Sequence, residues 1–289
     1  MQTNKLNLWL KRCFGESIKK CIIFFLYPQR NQFLLFNYAN RARKNKVNLN
    51  YWSESDNLGD TLAPVIVNYI LSLKNISPNK TVSNRKHLYA VGSILTAGIQ
   101  DCTVWGSGIL NSVISYRLKN RKLDIRAVRG PFTRAILQDY GYNCPEVYGD
   151  PAIFLPEIYK PGVIEKKYKF GLVMHMDQIQ EIPKGDILNI DICTSDYHEF
   201  VNKLNSVEVV ISSSLHGIIL AESYGIKAIL LKPVKDFLKY YDWYYSTGRY
   251  SFPVANNIKE ALGMTPSPLP NLNSLRRKLL ETFPYDLYE

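Results

Sequence analysis

No CxxC pair occurs in the 289-residue sequence. Its five cysteines, at 13, 21, 102, 144 and 193, are odd in number and widely spaced. That excludes a zinc ribbon and a disulfide framework, and reduced thiols in a cytosolic compartment follow. Long apolar runs are also missing. The longest covers residues 21–27, against the roughly 20 residues of a membrane-spanning helix. Residues 27–31 beyond it lack the small-x-small pattern of a signal-peptide cleavage site. HExxH, Walker, GxSxG and paired-cysteine metal motifs are absent, as are internal repeats and low-complexity tracts. Acids are scarce at one end. Residues 1–46 hold ten Lys and Arg against a single acid, Glu16, so this arm carries +9 of the net +11. The remaining body is close to neutral, and its function need not involve a polyanion.

What is present is globular. Hydrophobic residues make up 46% and aromatics 12%, too much for disorder. The length fits one large domain or two modest ones. Residues 47–52 alternate apolar and polar side chains as a strand does. After a polar loop, Leu62, Val65, Ile66, Tyr69, Ile70 and Leu73 form one helical face, with a start expected near Thr61 and Pro64 in the first turn. The rhythm repeats. Strands are expected at 88–91, 103–105, 125–128, 170–174, 187–192, 207–211 and 228–231, with helices near 131–141, 196–205 and 215–225. Short apolar strands alternating with helices indicate parallel sheets covered on both faces. The pattern lapses at 156–167, which holds two Pro, one Gly and three Lys and reads as a linker. The expected division is a basic amphipathic extension at 1–46, an N-terminal Rossmann-like domain at 47–158 and a C-terminal Rossmann-like domain with a C-terminal helix at 168–289.

The chemistry-bearing residues cluster at strand ends, where open α/β sheets bind ligands. A strand ends in Ser212, Ser213 and Ser214, and a helix begins with His216 in its first turn, followed by Gly217. Such a helix start attracts anions and disfavours imidazolium, leaving His216 able to accept a proton. The same tract also reads as a capping sequence with a structural histidine. Asn57-Leu58-Gly59-Asp60 opens the first helix, with Asp60 as a candidate cap. Arg129 stands at a strand end, where a guanidinium can hold an anion bidentately. Asp150, in Gly149-Asp150-Pro151-Ala152, is an acid, a hydroxyl binder or a turn residue. Trp105-Gly106-Ser107-Gly108 exposes amides but is no dinucleotide fingerprint. His175 directly follows a strand. Lys239-Tyr240-Tyr241-Asp242 and Ser246-Thr247-Gly248-Arg249 mix rings and polar groups, a combination that suits sugars and also suits an ordinary surface loop.

These pieces, in this order, resemble the polysaccharide pyruvyl transferase family over roughly residues 47–250. The marks are 57–60, 92–95, 105–108, 128–131, 149–152, 212–217 and 244–249. The resemblance implies two Rossmann-like domains facing a cleft, as in GT-B glycosyltransferases. It implies phosphoenolpyruvate as donor; ketal formation from it needs no redox cofactor, and the sequence shows no metal-binding cluster. The acceptor is a sugar of a surface polysaccharide or its lipid-linked precursor, and the product a cyclic pyruvate ketal. Arg129 and His216 are the implied catalytic residues. Arg129, Ser212, Ser213, Ser214, Gly217, Lys239 and Arg249 are the expected donor-binding set. Asn57, Asp60, Trp105, Asp150, His175 and Asp242 are the expected acceptor-binding set. Some relatives carry arginine two residues before the motif histidine, where this chain has Ser214. Lys239 or Arg249 is then expected to supply that cation.

The competing readings are a GT-B-type glycosyltransferase using a nucleotide sugar and a non-catalytic sugar-binding protein at a membrane. A nucleic-acid role is disfavoured, because the charge is confined to the arm and no recognition motif is present. In the arm, Trp9, Phe14, Phe24, Phe25, Phe33 and Phe36 are interleaved with the basic residues. That composition suits binding to an anionic membrane surface, here the inner face of the plasma membrane. Packing of the arm on the body as a helical extension is the alternative.

Overall fold

The computed structural model describes residues 44–52, 56–84, 86–97, 100–178, 185–234 and 236–289. Most of the basic arm lies outside them. Two sheets, both wholly parallel, carry the fold. The first has strands β1 (Val47–Asn50), β2 (Lys86–Tyr89), β3 (Cys102–Trp105) and β4 (Leu123–Ala127), side by side in sequence order. The second has β5 (Tyr168–Val173), β6 (Ile187–Asn189), β7 (Val207–Ser212), β8 (Lys227–Leu231) and β9 (Val254–Ala255), ordered β6-β5-β7-β8-β9. Among the described residues, the α-helices of five or more residues are α1 (Leu58–Ser72), α2 (Pro131–Asp139), α3 (Tyr197–Asn205), α4 (Leu215–Ser223), α5 (Leu238–Ser246), α6 (Ile258–Leu262) and α7 (Asn273–Glu281). The α/β alternation expected from the sequence is therefore present.

Burial explains why the strands read as continuous apolar runs. Along β7 and β8, Val210, Ala228 and Leu230 face one layer while Ile211, Ile229 and Leu231 face the other. A parallel sheet covered on both faces needs both sets. The first layer is shared. Leu62, Ile66 and Trp105 from the first half join Val173, Ile218 and Trp243 from the second in one cluster of buried residues. Each sheet also has its own outer layer, around Val104 and Ile125 for the first and around Leu172 and Ile229 for the second.

Three local details differ from the sequence expectation. Helix α1 begins at Leu58, three residues earlier than expected, because Asn57 caps it: its side-chain oxygen accepts from the Gly59 N–H at 3.2 Å. Asp60 is thus in the first turn and is not the cap. Pro64 consequently lies inside the helix, and its missing N–H removes the bond that the Asp60 carbonyl would otherwise receive. The C-terminal residues return to the first half. The Trp105 indole N–H donates to the Leu279 carbonyl at 2.8 Å, Arg126 pairs with Asp286 at 2.9 Å, and the Tyr285 hydroxyl donates to the Ile70 carbonyl at 3.3 Å. Helix α7 and the turn after it therefore pack on the sheet formed by residues 47–127.

Candidate functional site

Asn57, Arg129, His175 and the serines leading to His216 lie at or beyond the carboxyl ends of parallel strands, and the two halves bring several candidate segments together. Leu58 N–H at the start of α1 donates to the Ile192 carbonyl beyond β6 at 2.9 Å. Asn57 Nδ2 lies 3.7 Å from Met176 Sδ, in the loop that carries His175. The start of α1 is thus fixed against the second sheet.

Three serines shape the turn into α4. Ser212 Oγ accepts from the Ser214 N–H at 3.0 Å and lies 2.8 Å from the Val173 carbonyl. Ser213 Oγ accepts from the His175 N–H at 2.9 Å, and Ser214 Oγ caps the helix by accepting from the Gly217 N–H. All three are buried, so their hydroxyls must find protein partners, and they do. Their role in this structure is to set the turn that presents His216. Gly217 is demanded by packing, since a Cβ there would lie 2.4 Å from Ser212 Oγ.

His216 meets both halves. Its Nε2 lies 3.5 Å from Asp150 Oδ2, at the outer edge of hydrogen-bond distance. Both atoms are buried and neither has a hydrogen-bond partner. Asp150 uses its other oxygen as a turn cap, accepting from the Ala152 N–H at 3.0 Å. On its other side the imidazole abuts α1. A Cβ on Gly59 would stand 1.8 Å from His216 Nδ1, so only glycine lets the helix start approach the ring.

Asp60 completes the group. Its carboxylate rests over Gly92, where a Cβ would lie 2.7 Å from Oδ1. Gly92 has φ +98°, a left-handed conformation that favours glycine. Burial pushes the Asp60 carboxyl up to about 6, and the nearby Asp150 adds to the rise. His216 and Lys239 act in the opposite direction. The site thus combines two carboxyl groups, an imidazole and an ammonium, which is an acid–base constellation.

Other expected site residues are engaged with protein partners or set in the core. Arg129 has no exposed surface. Its Nη2 pairs with Asp242 Oδ2 at 3.1 Å and donates to the Ile109 carbonyl at 2.8 Å, and its Nη1 donates to Ser93 Oγ at 2.6 Å. Asp242 is equally buried and also accepts from the Thr133 N–H at 2.9 Å. The expected donor anchor and the expected acceptor contact neutralise each other inside the protein and tie α2 to α5. Arg249 is likewise occupied. It forks onto Glu222 at 2.5 and 2.9 Å, and its guanidinium stacks over the Tyr244 ring. Glu222 also accepts from the Trp243 indole at 2.8 Å. Trp105 is a core residue, set edge-on to Phe283 at 4.8 Å. His175 is partly exposed beside Asp177, 3.8 Å away. An open groove of about 510 Å³ lies at the opposite, N-terminal ends of β2–β4, lined by Lys86, His87, Asp124 and Tyr142. Parallel sheets bind ligands at the other end, so we do not count it with the site. Among the described residues, no group of three His, Cys, Asp or Glu is arranged to hold a metal ion.

The model of one family, polysaccharide pyruvyl transferase, matches residues 50–233, a span that includes Asn57, Asp60, Asp150 and His216. The chain belongs to the polysaccharide pyruvyl transferase family. It is similar to uncharacterized protein L143 of Acanthamoeba polyphaga mimivirus, 26% identical over 217 residues, covering 70% of this chain and 75% of that protein. It is also similar to the succinoglycan biosynthesis protein ExoV of Rhizobium meliloti (strain 1021), 24% identical over 212 residues, covering 68% of this chain and 64% of ExoV. A crystal structure of an uncharacterized Klebsiella pneumoniae protein covers 80% of the chain and 94% of its own, at 12% identity and TM-score 0.44. In this family member, nothing in the sequence marks Gly59 and Gly92 as contacts of His216 and Asp60, or Glu222 as the partner of Arg249. The available signal is only that Glu222 is a lone glutamate in the apolar helix of residues 215–223.

Proposed function

We propose that this protein transfers the pyruvyl group of phosphoenolpyruvate to two hydroxyls of one sugar, in a polysaccharide or its lipid-linked precursor, forming a cyclic ketal. The observation that carries the proposal is the buried His216–Asp150 pair, 3.5 Å apart, with both facing atoms lacking hydrogen-bond partners. It sits in a chain of the pyruvyl transferase family.

In this reading Asp150 orients the imidazole. Nδ1 is packed against the Gly59 backbone, so Nε2, which has no hydrogen-bond partner, is the nitrogen that accepts a proton from a sugar hydroxyl, with the Asp150 carboxylate beside it to balance the charge that forms. Free catalytic hydrogen bonds are often long and tighten when substrate binds. As the methylene carbon C3 takes up a proton with the C=C electron pair, the hydroxyl oxygen attacks C2 of the donor and its own proton passes to His216. Phosphate then departs with the C2–O electron pair and takes that proton. The second hydroxyl adds to C2 and closes the ring, and its proton replaces the one taken up by the methylene carbon. Lys239 is the donor-side cation in this scheme, because its charge acts on the same carboxyl as His216. Arg129 and Arg249 hold α5, which carries Lys239, through their carboxylate partners. Asn57 and His175 border the space for the acceptor. The two sheets would face each other across the site in a GT-B-like manner. The basic arm would keep the enzyme at an anionic membrane surface near a lipid-linked acceptor.

The test is incubation of the full chain with phosphoenolpyruvate and a panel of lipid-linked glycans. Phosphate release that requires an acceptor supports pyruvyl transfer. Consumption of a nucleotide sugar instead, with phosphoenolpyruvate untouched, would assign glycosyl transfer.

A further inference from the structure

A ketal cannot form from an enol phosphate without a proton reaching the methylene carbon, and His216 is committed to the oxygen side. Its buried Nε2 is aimed at Asp150, which is fully buried and spends its other oxygen on the Ala152 N–H. In the proposed reaction that pair serves the hydroxyl oxygen. Asp60 is the remaining acid at the site. It stands in the first turn of α1, beside the residue that abuts the imidazole, and it is half-buried while Asp150 is enclosed. The backbone has been cleared for it. Gly92 is held at φ +98° with no room for a Cβ beside Asp60 Oδ1.

We infer that Asp60 is the acid that protonates the methylene carbon of the donor, separate from the His216–Asp150 pair that serves the hydroxyl oxygen. This inference rests on the pyruvyl-transfer reading. The step balances within the site. The Asp60 O–H bond breaks as the C=C electron pair forms a C–H bond at C3, leaving a carboxylate and an electron-poor C2. The first hydroxyl adds to C2 with its proton going to His216. Phosphate leaves with that proton. The second hydroxyl adds as its proton returns to the Asp60 carboxylate, restoring the acid. Two hydroxyl protons are thus accounted for, one on the new methyl group and one on phosphate.

The electrostatic setting agrees with this division. The charged groups acting on Asp60 are His216 on α4, Lys239 on α5 and Asp150 in the turn after residue 149, and burial outweighs the two cations. A carboxyl raised to about 6 keeps a useful protonated fraction near neutral pH, whereas an ordinary aspartate near 4 does not. Two titrating groups set to opposite tasks by their surroundings are a recurrent acid–base arrangement.

The experiment measures kcat against pH for the wild type, Asp60→Asn and Asp60→Glu, with phosphoenolpyruvate and an accepted glycan, together with donor affinity. In the wild type kcat should fall as pH rises through the Asp60 titration. Asp60→Asn should lower kcat by ~10²–10⁴-fold, the scale of general acid catalysis, and abolish that limb, with donor affinity held within about threefold. Asp60→Glu should keep measurable turnover and a displaced limb, which a packing role would not produce. Wild-type turnover in Asp60→Asn, or reduced turnover with the limb unmoved in both variants, overturns the assignment while pyruvyl transfer stands. A wild type that consumes no phosphoenolpyruvate with any acceptor overturns both.

Discussion

Asp60 is predicted to weaken the fold at the pH where it is used. Burial pushes its carboxyl up to about 6 in the folded chain, against about 4 for an ordinary aspartate. Well below pH 4 it is protonated in both folded and unfolded chains and contributes no difference. As pH rises from about 4 to 6 the unfolded chain loses the proton first, so folding is progressively disfavoured. Above about 6 the full penalty is present. At about 1.4 kcal/mol per unit, a rise of roughly two units corresponds to about 3 kcal/mol. Asp60→Asn removes the titration while keeping the shape. The stability of the variant minus that of the wild type should therefore grow by about 3 kcal/mol between about pH 2.5 and about pH 7.5. Urea unfolding of both proteins at four or five pH values measures this. Any effect of the amide on packing is common to all pH values and drops out of the trend. A stability difference that is flat with pH, or that shrinks as pH rises, would refute the claim that Asp60 is held in a desolvating site. Gain of stability with loss of turnover is the expected mark of a residue kept for chemistry.

Three further outcomes follow from the packing. Gly59→Ala places a methyl 1.8 Å from His216 Nδ1, so turnover should drop by about 10²-fold through displacement of the ring, with circular dichroism largely unchanged. Arg129→Ala leaves Asp242 buried without its cation and should cost about 3–5 kcal/mol in denaturant unfolding. A stable Arg129→Ala protein that has lost only donor affinity would restore Arg129 to the donor site. The full chain should sediment with anionic vesicles in a salt-sensitive way, each basic residue near the surface contributing about 1 kcal/mol. Replacing Lys19, Lys20, Arg41 and Arg43 by Gln should weaken that binding, and unchanged binding would remove the arm from the interface.

Much of this architecture is legible in the sequence because it is local. The apolar runs around residues 207–212 and 227–231 are continuous because both faces of the second sheet are covered, and the helical stripe from Leu62 to Ile70 faces the shared core. The four-residue motif 57–60 also announces a strand-to-helix turn. Its details were harder to read, since Asn57 and Asp60 are both good capping residues and only the φ, ψ path of the chain decides between them. The pairing of charges was hidden altogether. Arg129 finds Asp242 113 residues later, and Arg249 finds Glu222 across two helices. A strand-end arginine looks the same in sequence whether it meets a substrate anion or a buried aspartate. Gly59 and Gly92 are ordinary loop glycines until the side chains opposite them, His216 and Asp60, are seen.

The central claim is tested most directly by the mass of the glycan after incubation with the full chain and phosphoenolpyruvate. The account predicts an acceptor heavier by one pyruvate less one water, with one phosphate released per acceptor, and a loss of this product in a folded His216→Gln variant. An acceptor that gains a sugar residue, or a His216→Gln variant that forms the ketal at the wild-type rate, would contradict it.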